Sequence, residues 1–478
     1  MSSPVIPLAA GFAPATHDQW LALVAKTLKG KGPEALVRRT ADGQEILPLY
    51  VARDALAPLP FAPSARGSHG WDIRAVVANP DSSLANAEAL AALAGGAVSV
   101  IVMIDTGDGR GVTVASAGDL ARVLDGVMTD VAPVALDAGF LGRAAADWLD
   151  DVTKASPTAP LALNLDPLSA FAAAGASPGP VEAHLEAAAA TAARLAETYP
   201  RAGLFLASGA VVHEAGGSPA WELAFAMASA VAYAKAMTAA GMSMDQAFAG
   251  LTLGLAVDAE PLGAIAKLRA GRVLWGRIAQ ACGAPGAARI EARSSGRMLT
   301  RADRWTNLVR LTSAGFGAAL GGADAIVLGA FTDAIGAPDA FALRMARNTQ
   351  LVLLEEAHLG RVADPAGGSW ALEAQTSDLA RAAWTHFQEI EAARGAVAAL
   401  RSGLIADAVG SAREGLAATI AEKSLRIIGV TDFPSAEAAP EPAPPTKPPH
   451  DPLAVARLPG ADDACAPLAA IRLEDMAQ

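Results

Sequence analysis

Between Trp71 and Leu328 short apolar runs alternate with helical stretches, and this alternation restricts the fold more than any other feature of the chain. The runs fall at Ile73–Val77, Val98–Ile104, Pro133–Leu136, Leu161–Leu165, Gly203–Leu206, Leu251–Val257, Ala288–Ala292 and Ala325–Leu328. Between most of them lie stretches with helical spacing, among them Val181–Thr198, Ala220–Ala239 and Pro261–Cys282. Parallel strands cannot be joined by a tight turn and need such crossovers. Eight strand–helix units close a barrel. A doubly wound open sheet meets the same alternation, but no glycine-rich phosphate turn opens the first helix. The count of eight favours an α/β chain built on a (β/α)8 TIM barrel, over residues 64–370.

The flanks differ in character. Thr16-His17-Asp18-Gln19 has capping-box spacing, and Trp20, Leu21, Val24 and Leu28 stripe the helix that follows. Leu36 to Tyr50 then alternates around Ala41-Asp42-Gly43-Gln44, a hairpin signal. Residues 1–63 therefore read as an arm of helix, hairpin and Pro-rich stretch. It has little core of its own and is expected to lie against the body of the chain or a partner. After the barrel, residues 371–433 carry two helical stretches, Leu372–Ser402 and Leu404–Ala421, and a short apolar run, Leu425–Val430. Residues 434–478 hold the Pro- and Ala-dense segment Ser435 to Pro452 and read as linker and tail, too short for a domain.

Composition excludes several classes. Hydrophobic residues make up 52% of 478, yet no run reaches the roughly 18 unbroken apolar residues of a membrane span. A net charge of −12 without a Lys/Arg cluster argues against nucleic acid. Cys282 and Cys465 are too few and too far apart for a disulfide framework or a metal site. The first residues lack the basic-then-apolar pattern of a secretory signal. The expectation is a cytoplasmic protein with no metal of its own.

Barrel chemistry sits at the C-terminal ends of strands. Strand four ends in Asn164-Leu165-Asp166, and strand five in Ser208-Gly209 with His213-Glu214 shortly after. Strand seven supplies Glu291, Arg293, Ser294 and Ser295. His213 beside Glu214 has the residue types of a general acid/base pair, as in a barrel lyase or aldolase. The alternative is that His213 makes a structural hydrogen bond and Glu214 caps the next helix. Arg293 suits a phosphate or carboxylate clamp and equally a salt bridge. Neither serine has a histidine placed beside it by the sequence.

The stretch Arg347 to Trp370, RNTQLVLLEEAHLGRVADPAGGSW, reads as a helix from Asn348 with Gly360 as its C-terminal cap, followed by the irregular loop Asp364-Pro365-Ala366-Gly367-Gly368. Arg347, Asn348 and Gln350 share a polar face, and Arg347 and Asn348 are expected to hold that loop against the barrel. Residue for residue the stretch resembles the RNTQ…E…DP…GGS signature of the methylmalonyl-CoA mutase family, the adenosylcobalamin-dependent acyl-CoA mutases. The resemblance runs from about Trp20 to Phe433, through TADGQEILPLY, GWDIR, IAKLRAGRVLW and the run Ser294 to Arg310, all in family order.

The resemblance also identifies what differs. Active chains of the family carry a Tyr a few residues before Trp-x-Ile-Arg; here the residues before Trp71 are Arg66-Gly67-Ser68-His69-Gly70. Their Gln-Asn-Asp after strand four corresponds to Asn164-Leu165-Asp166. Their Ser-Gly-Tyr-His with Gln-Glu-Ala-Gly corresponds to Ser208 through Gly216, so the catalytic His falls on Val211 and His213 stands where a Gln is expected. Their His, small residue and Gln on strand seven become Glu291, Ala292 and Arg293. A carboxylate at Glu291 is expected to repel an anionic malonyl group, and Val211 has no donor for a thioester carbonyl. The family's cobalt-ligating Asp-x-His-x-x-Gly motif is missing, and His358 has the wrong flanks for it. The resemblance therefore implies the small, non-catalytic subunit of a heterodimeric member, without a complete B12-binding flavodoxin-like domain. Its catalytic large subunit would bind adenosylcobalamin and the acyl-CoA. Two rivals stand beside this: a catalytic barrel whose B12 domain is a separate chain, and the unrelated lyase using His213-Glu214.

Overall fold

The computed structural model describes residues 11, 13, 15–51, 70–284, 287–435, 441 and 451–477. Eight parallel strands close a barrel, and each is followed by a helix on the outside. The strands are β1 (Asp72–Val77), β2 (Ser99–Met103), β3 (Val134–Asp137), β4 (Leu161–Leu165), β5 (Gly203–Ser208), β6 (Leu251–Val257), β7 (Arg289–Ser294) and β8 (Ala325–Val327). The helices are α1 (Ser82–Ala94), α2 (Ala117–Val123), α3 (Gly142–Thr153), α4 (Val181–Thr198), α5 (Pro219–Ala239), α6 (Pro261–Ala281), α7 (Thr306–Leu320) and α8 (Ala340–Leu351). β8 pairs with β7 on one side and β1 on the other, which completes the ring. All eight expected strands are present, within a residue or two.

The strands are legible because both faces are covered. β5, GLFLAS, is buried at every position, as a parallel strand between a filled lumen and a helical shell should be. The lumen holds a small apolar cluster of Ile101, Ala135 and Val327, with Val76 and Ala162 against it. α5 starts with Ser218 as its cap and Pro219 at its first turn, and is buried on most sides, including Leu223, Phe225, Met227 and Tyr233. A helix apolar all round needs cover all round. The outer cover is α9 (Trp370–Ala392), which packs along α5, with His386 stacked on Trp221 at 4.2 Å.

At the N-terminal side, the helix His17–Thr27 has the expected capping box between Thr16 and Gln19 but no buried residue, and Leu23 is 63% exposed. The hairpin forms, with Arg38–Arg39 pairing antiparallel to Glu45–Ile46. Its tip is pinned to the barrel by Asp42, whose carboxylate accepts from the Ala220 N–H at 3.2 Å at the start of α5. The Pro-rich stretch to Pro63, and the residues before Gly70 that differ from active chains, lie outside the described residues.

One expectation is corrected: the stretch Leu372–Ser402 is two helices, because Arg394 and Gly395 adopt positive φ (73° and 90°) between Ala392 and Ala396. The apolar run Leu425–Val430 forms a turn, in which Ile427 O accepts from the Val430 and Thr431 N–H groups. The expected linker Ser435 to Pro452 lies mostly outside the described residues. Residues 451–477 are docked along the barrel, with Ala456 and Leu468 buried, whereas 436–440 and 442–450 lie outside the described residues. Among the described residues, no helix is long and apolar enough to cross a membrane.

Candidate functional site

The inward-facing residues of β1 and β7 meet inside the lumen. Arg74 donates to Glu291 across β8 at 2.5 Å, to Asp72 at 2.7 Å and to Ser99 Oγ at 3.1 Å. Arg293 Nε donates to Glu291 at 2.6 Å, and its Nη1 reaches Asp137 at the end of β3, on the other side of the barrel. Glu291 is 0% exposed and Arg74 9%. Burial alone would raise the Glu291 carboxyl, but Arg293 and Arg74 outweigh it and hold it below its usual range. The expectation that Glu291 repels an anion is thereby corrected, since two guanidinium groups already neutralise it. Arg293 is a salt-bridge partner, not a free clamp.

His213 and Glu214 do not act on a common point. Both lie on the short helix Ala210–Glu214 after β5. His213 Nε2 is 2.9 Å from Ser295 Oγ, and its Nδ1 is 3.4 Å from Glu222, which holds Lys267 at 2.5 Å. Glu214 is occupied by backbone of the loop that carries Ser295, accepting from the Gly296 and Arg297 N–H groups, both at 3.1 Å. Ser218, not Glu214, caps the next helix. Ser295, His213 and Glu222 have the order of a nucleophile, base and orienting acid. All three are at most 1% exposed, so no substrate reaches the hydroxyl. Burial lowers the His213 pKa, with Arg297 and Lys267 adding to the effect. In the case of Glu222 burial pushes up, but Lys267 and His213 together bring the carboxyl down to about 2. The lyase reading, which needs His213 and Glu214 as a pair, is overturned by this geometry.

Asn164 ends β4 at φ 47°, a left-handed conformation that asparagine tolerates. Asp166 caps the short helix Pro167–Ala174, accepting from Ser169 N at 3.2 Å and from the Tyr233 hydroxyl. Burial pushes its carboxyl up to about 7 against those hydrogen bonds. Val211 is half-buried and packs on the shell core; its side chain offers no polar atom.

The signature stretch lies at the opposite, N-terminal end of the barrel. α8 begins at Ala340 and runs into a π turn, Val352–Glu356, closed by Ala357 N to Val352 O at 2.9 Å. His358, at φ 56°, ends it, so Gly360 is not the cap. Gly360 is needed for close approach, because a Cβ there would sit 2.9 Å from Gly70 Cα. Gln350 Oε1 accepts from Trp71 Nε1 at 3.1 Å and ties α8 to the start of β1. The loop Asp364–Gly368 is not held by Arg347 and Asn348. Arg269 of α6 holds it, with its fork on Asp364 at 2.8 and 3.1 Å and further bonds to Glu373 and Thr376. Asp364 accepts that fork while its own O closes the turn to Gly367 N, Pro365 lies inside the turn, and Gly368 N donates to Glu373. Arg347 packs its guanidinium over Gly95 at the end of α1.

Among the described residues, four imidazoles are already engaged or away from the C-terminal mouth of the barrel: His213 is enclosed, His184 is bonded to Pro178 O at 3.1 Å, His386 stacks on Trp221, and His358 sits in the turn after α8. Among the described residues, no three His, Cys, Asp or Glu side chains group as a metal site. The described residues do not fit cobalamin.

A closed barrel with its strand-end residues tied to one another, and the RNTQ…DP…GGS run at its base, places the chain among the barrel mutases of coenzyme-A thioesters. Residues 87–457 match the methylmalonyl-CoA mutase family, and the chain belongs to it. It is 41% identical over 471 residues to the methylmalonyl-CoA mutase small subunit of Streptomyces virginiae, covering 93% of this chain and 75% of that protein. The small subunit from Propionibacterium freudenreichii subsp. shermanii is 32% identical over 481 residues, covering 94% and 74%. The Streptomyces virginiae large subunit is 29% identical over 466 residues, covering 90% of this chain and 63% of that protein.

Several residues of the site escaped the sequence. Arg74, Asp72 and Asp137 look like ordinary strand-end charges, and nothing local links them to Glu291. Glu222, Lys267 and Arg269 sit within helices, where a charge reads as a solvated face. One signal was available: each interrupts an otherwise apolar stretch, and a charge there needs a partner.

Proposed function

We propose that this chain is the small, non-catalytic subunit of a heterodimeric, adenosylcobalamin-dependent methylmalonyl-CoA mutase. The large subunit would bind the coenzyme and the acyl-CoA and interconvert (R)-methylmalonyl-CoA and succinyl-CoA in the cytoplasm. The observation that carries this reading is the ion-pair bridge across the lumen. Arg74, Glu291, Arg293 and Asp137 pair with one another where a substrate's acyl group would have to lie, and Val211 offers nothing to a thioester oxygen. Asn164, Asp166, Val211, His213, Glu291 and Arg293 are in this reading the remains of a pocket, and none is catalytic.

The partner surface in this reading includes the arm. The arm helix has no buried residue, with Leu23 at 63% exposure, and Leu47 and Leu49 of the arm are exposed at 40% and 37%, which leaves apolar surface for a partner. Residues 1–63 would wrap the large subunit, 64–370 form the barrel, and 371–433 extend it. The Arg347, Asn348, Gln350, Asp364, Pro365, Gly367 and Gly368 signature is assigned to folding.

The experiment is turnover by this chain alone, by a co-expressed large subunit, and by the complex. The chain alone should neither retain corrinoid nor isomerise methylmalonyl-CoA. In complexes shown intact by gel filtration, His213→Ala and Asn164→Ala should leave turnover within a few-fold, because losing a catalytic acid/base costs about 10²–10⁴-fold. A several-hundred-fold drop in an intact complex would give this barrel an active site of its own.

A further inference from the structure

One segment stitches together loops from most of the barrel's C-terminal rim. Pro452 lies against Gly107, in the loop after β2. Ala456 is buried and lines a cavity of about 20 Å³ with Gly139, Leu165, Asp166 and His184, the ends of β3 and β4 and one face of α4. That space is about one water molecule. Leu458 N donates to Pro178 O at 3.0 Å, and Asp463–Ala464 pairs antiparallel with Ala176–Ser177. Cys465 N and Leu468 N donate to Gly175 O and Ala172 O at 2.9 and 2.8 Å. Ile471 N then reaches Glu214 O after β5 at 2.8 Å, and Leu473 N reaches Arg297 O after β7 at 2.9 Å.

Carboxylates clip this segment to backbone N–H groups of the same loops. Asp462 accepts from Gly179 N at 3.0 Å and Asp463 from Val181 N at 2.9 Å, at the start of α4. Glu474, 3% exposed, accepts from Arg301 N at 2.8 Å and Ala302 N at 2.9 Å. Arg457, Arg401 and Arg301 neutralise the three in turn. Bonds to backbone select one conformation of each loop rather than a side chain, and all three clips must agree at once. Two glycines fit the same contact: a Cβ at Gly179 would meet Leu458 O at 2.6 Å, and one at Gly175 would meet Pro467 at 2.9 Å.

Barrel enzymes admit substrate through these loops, often by their opening and closing. We propose that residues 451–477 are an intramolecular belt that locks the loops after β4, β5 and β7 in one closed arrangement. The belt removes loop opening independently of the lumen bridge, so the two readings fail separately: a loose belt would leave the ion pairs where they are.

The two cysteines of the chain are its reporters. Cys465 lies in the belt with Sγ 3.5 Å from Phe171 O, whereas Cys282 is exposed. In the full chain, a maleimide should modify Cys282 at the rate of a free thiol and Cys465 at least about 10-fold more slowly, since burial also pushes that thiol up to about 11. The double variant Ile471→Asp, Glu474→Ala should raise the Cys465 rate about 10-fold or more and leave Cys282 and the far-ultraviolet circular dichroism unchanged. Equal rates at both thiols in the unaltered chain would overturn the proposal, as would a variant with unchanged Cys465 labelling. Should the variant fail to fold, hydrogen exchange on the unaltered chain decides. The amides of Cys465, Leu468, Ile471 and Leu473 should be protected yet open as a unit below the stability of the barrel strands. Exchange at the rate of an unstructured peptide, or only together with the strands, would refute a separable belt.

Discussion

Arg293 on β7 crosses the lumen to Asp137 on β3 while its Nε holds Glu291, two residues back on its own strand. A guanidinium spanning the barrel in this way uses the same space as a ligand on the barrel axis. Arg74 holds Glu291 from β1 as well. The energetics of the bridge are those of buried ion pairs, where removing one partner costs more than the pair contributes.

Arg293→Ala should for that reason be strongly destabilising, by about 3–5 kcal/mol, since Glu291 at 0% exposure keeps only Arg74. Asp137→Asn should cost less, within about 1 kcal/mol, because the Asp137 side chain is 35% exposed and Arg293 retains Glu291. Denaturant unfolding of the two variants measures the difference. Equal losses would mean that the bridge is not organised around Glu291.

The signature stretch gives a second contrast, between Arg269 and Arg347. Arg269 is 2% exposed and bonds Asp364, Glu373 and Thr376, joining α6 to the loop and to α9. Its replacement by Ala leaves Glu373, itself 2% exposed, beside a missing cation, and should cost about 3–5 kcal/mol. Arg347→Ala removes a half-buried side chain with no ion pair among the described residues, and should cost less than about 1 kcal/mol. Thermal or denaturant unfolding ranks them, and a larger loss at Arg347 would reinstate it as the residue that holds the loop.

The barrel was legible because its strands are continuous apolar runs separated by stretches of helical spacing, such as the one that opens at Ser218 with Pro219. The lumen bridge was not, because it joins residues on β1, β3 and β7 that only closure of the ring brings together. Glu291 and Arg293 were read from the end of strand seven, and the salt-bridge alternative for Arg293 holds; Glu291 was misjudged as a repelling charge, because only closure of the ring brings Arg74 to it. The belt was hidden for another reason. Its contacts are mostly backbone hydrogen bonds and carboxylate clips, which leave no apolar periodicity, and its Pro- and Asp-rich composition reads as a spacer. The π turn after Leu351 ends at Glu356, and His358 stops the helix before Gly360, which the sequence marked as its cap.

Asp166 supplies a prediction about pH. Burial raises its carboxyl from the usual 3.8 to about 7, although Tyr233 and Ser169 donate to it. A folded-state pKa above the unfolded one means that the group's stabilising contribution is complete below about pH 4 and is lost as pH rises through about 7. Asp166→Asn keeps an acceptor for both donors and removes the proton. Its stability relative to the unaltered chain should therefore rise between pH 4 and pH 7, by at least about 1 kcal/mol, the equivalent of one pKa unit. Two neighbours in the same cavity, His184 and Arg143, remain in both proteins, and His184 is shifted downward by burial, so their effects cancel in the difference. Unfolding both proteins in urea at pH 4.5, 6 and 7.5 provides the comparison. Parallel stability curves would show that Asp166 is ionised throughout, and that the Tyr233 hydroxyl and the Ser169 amide, not a proton, stabilise its charge.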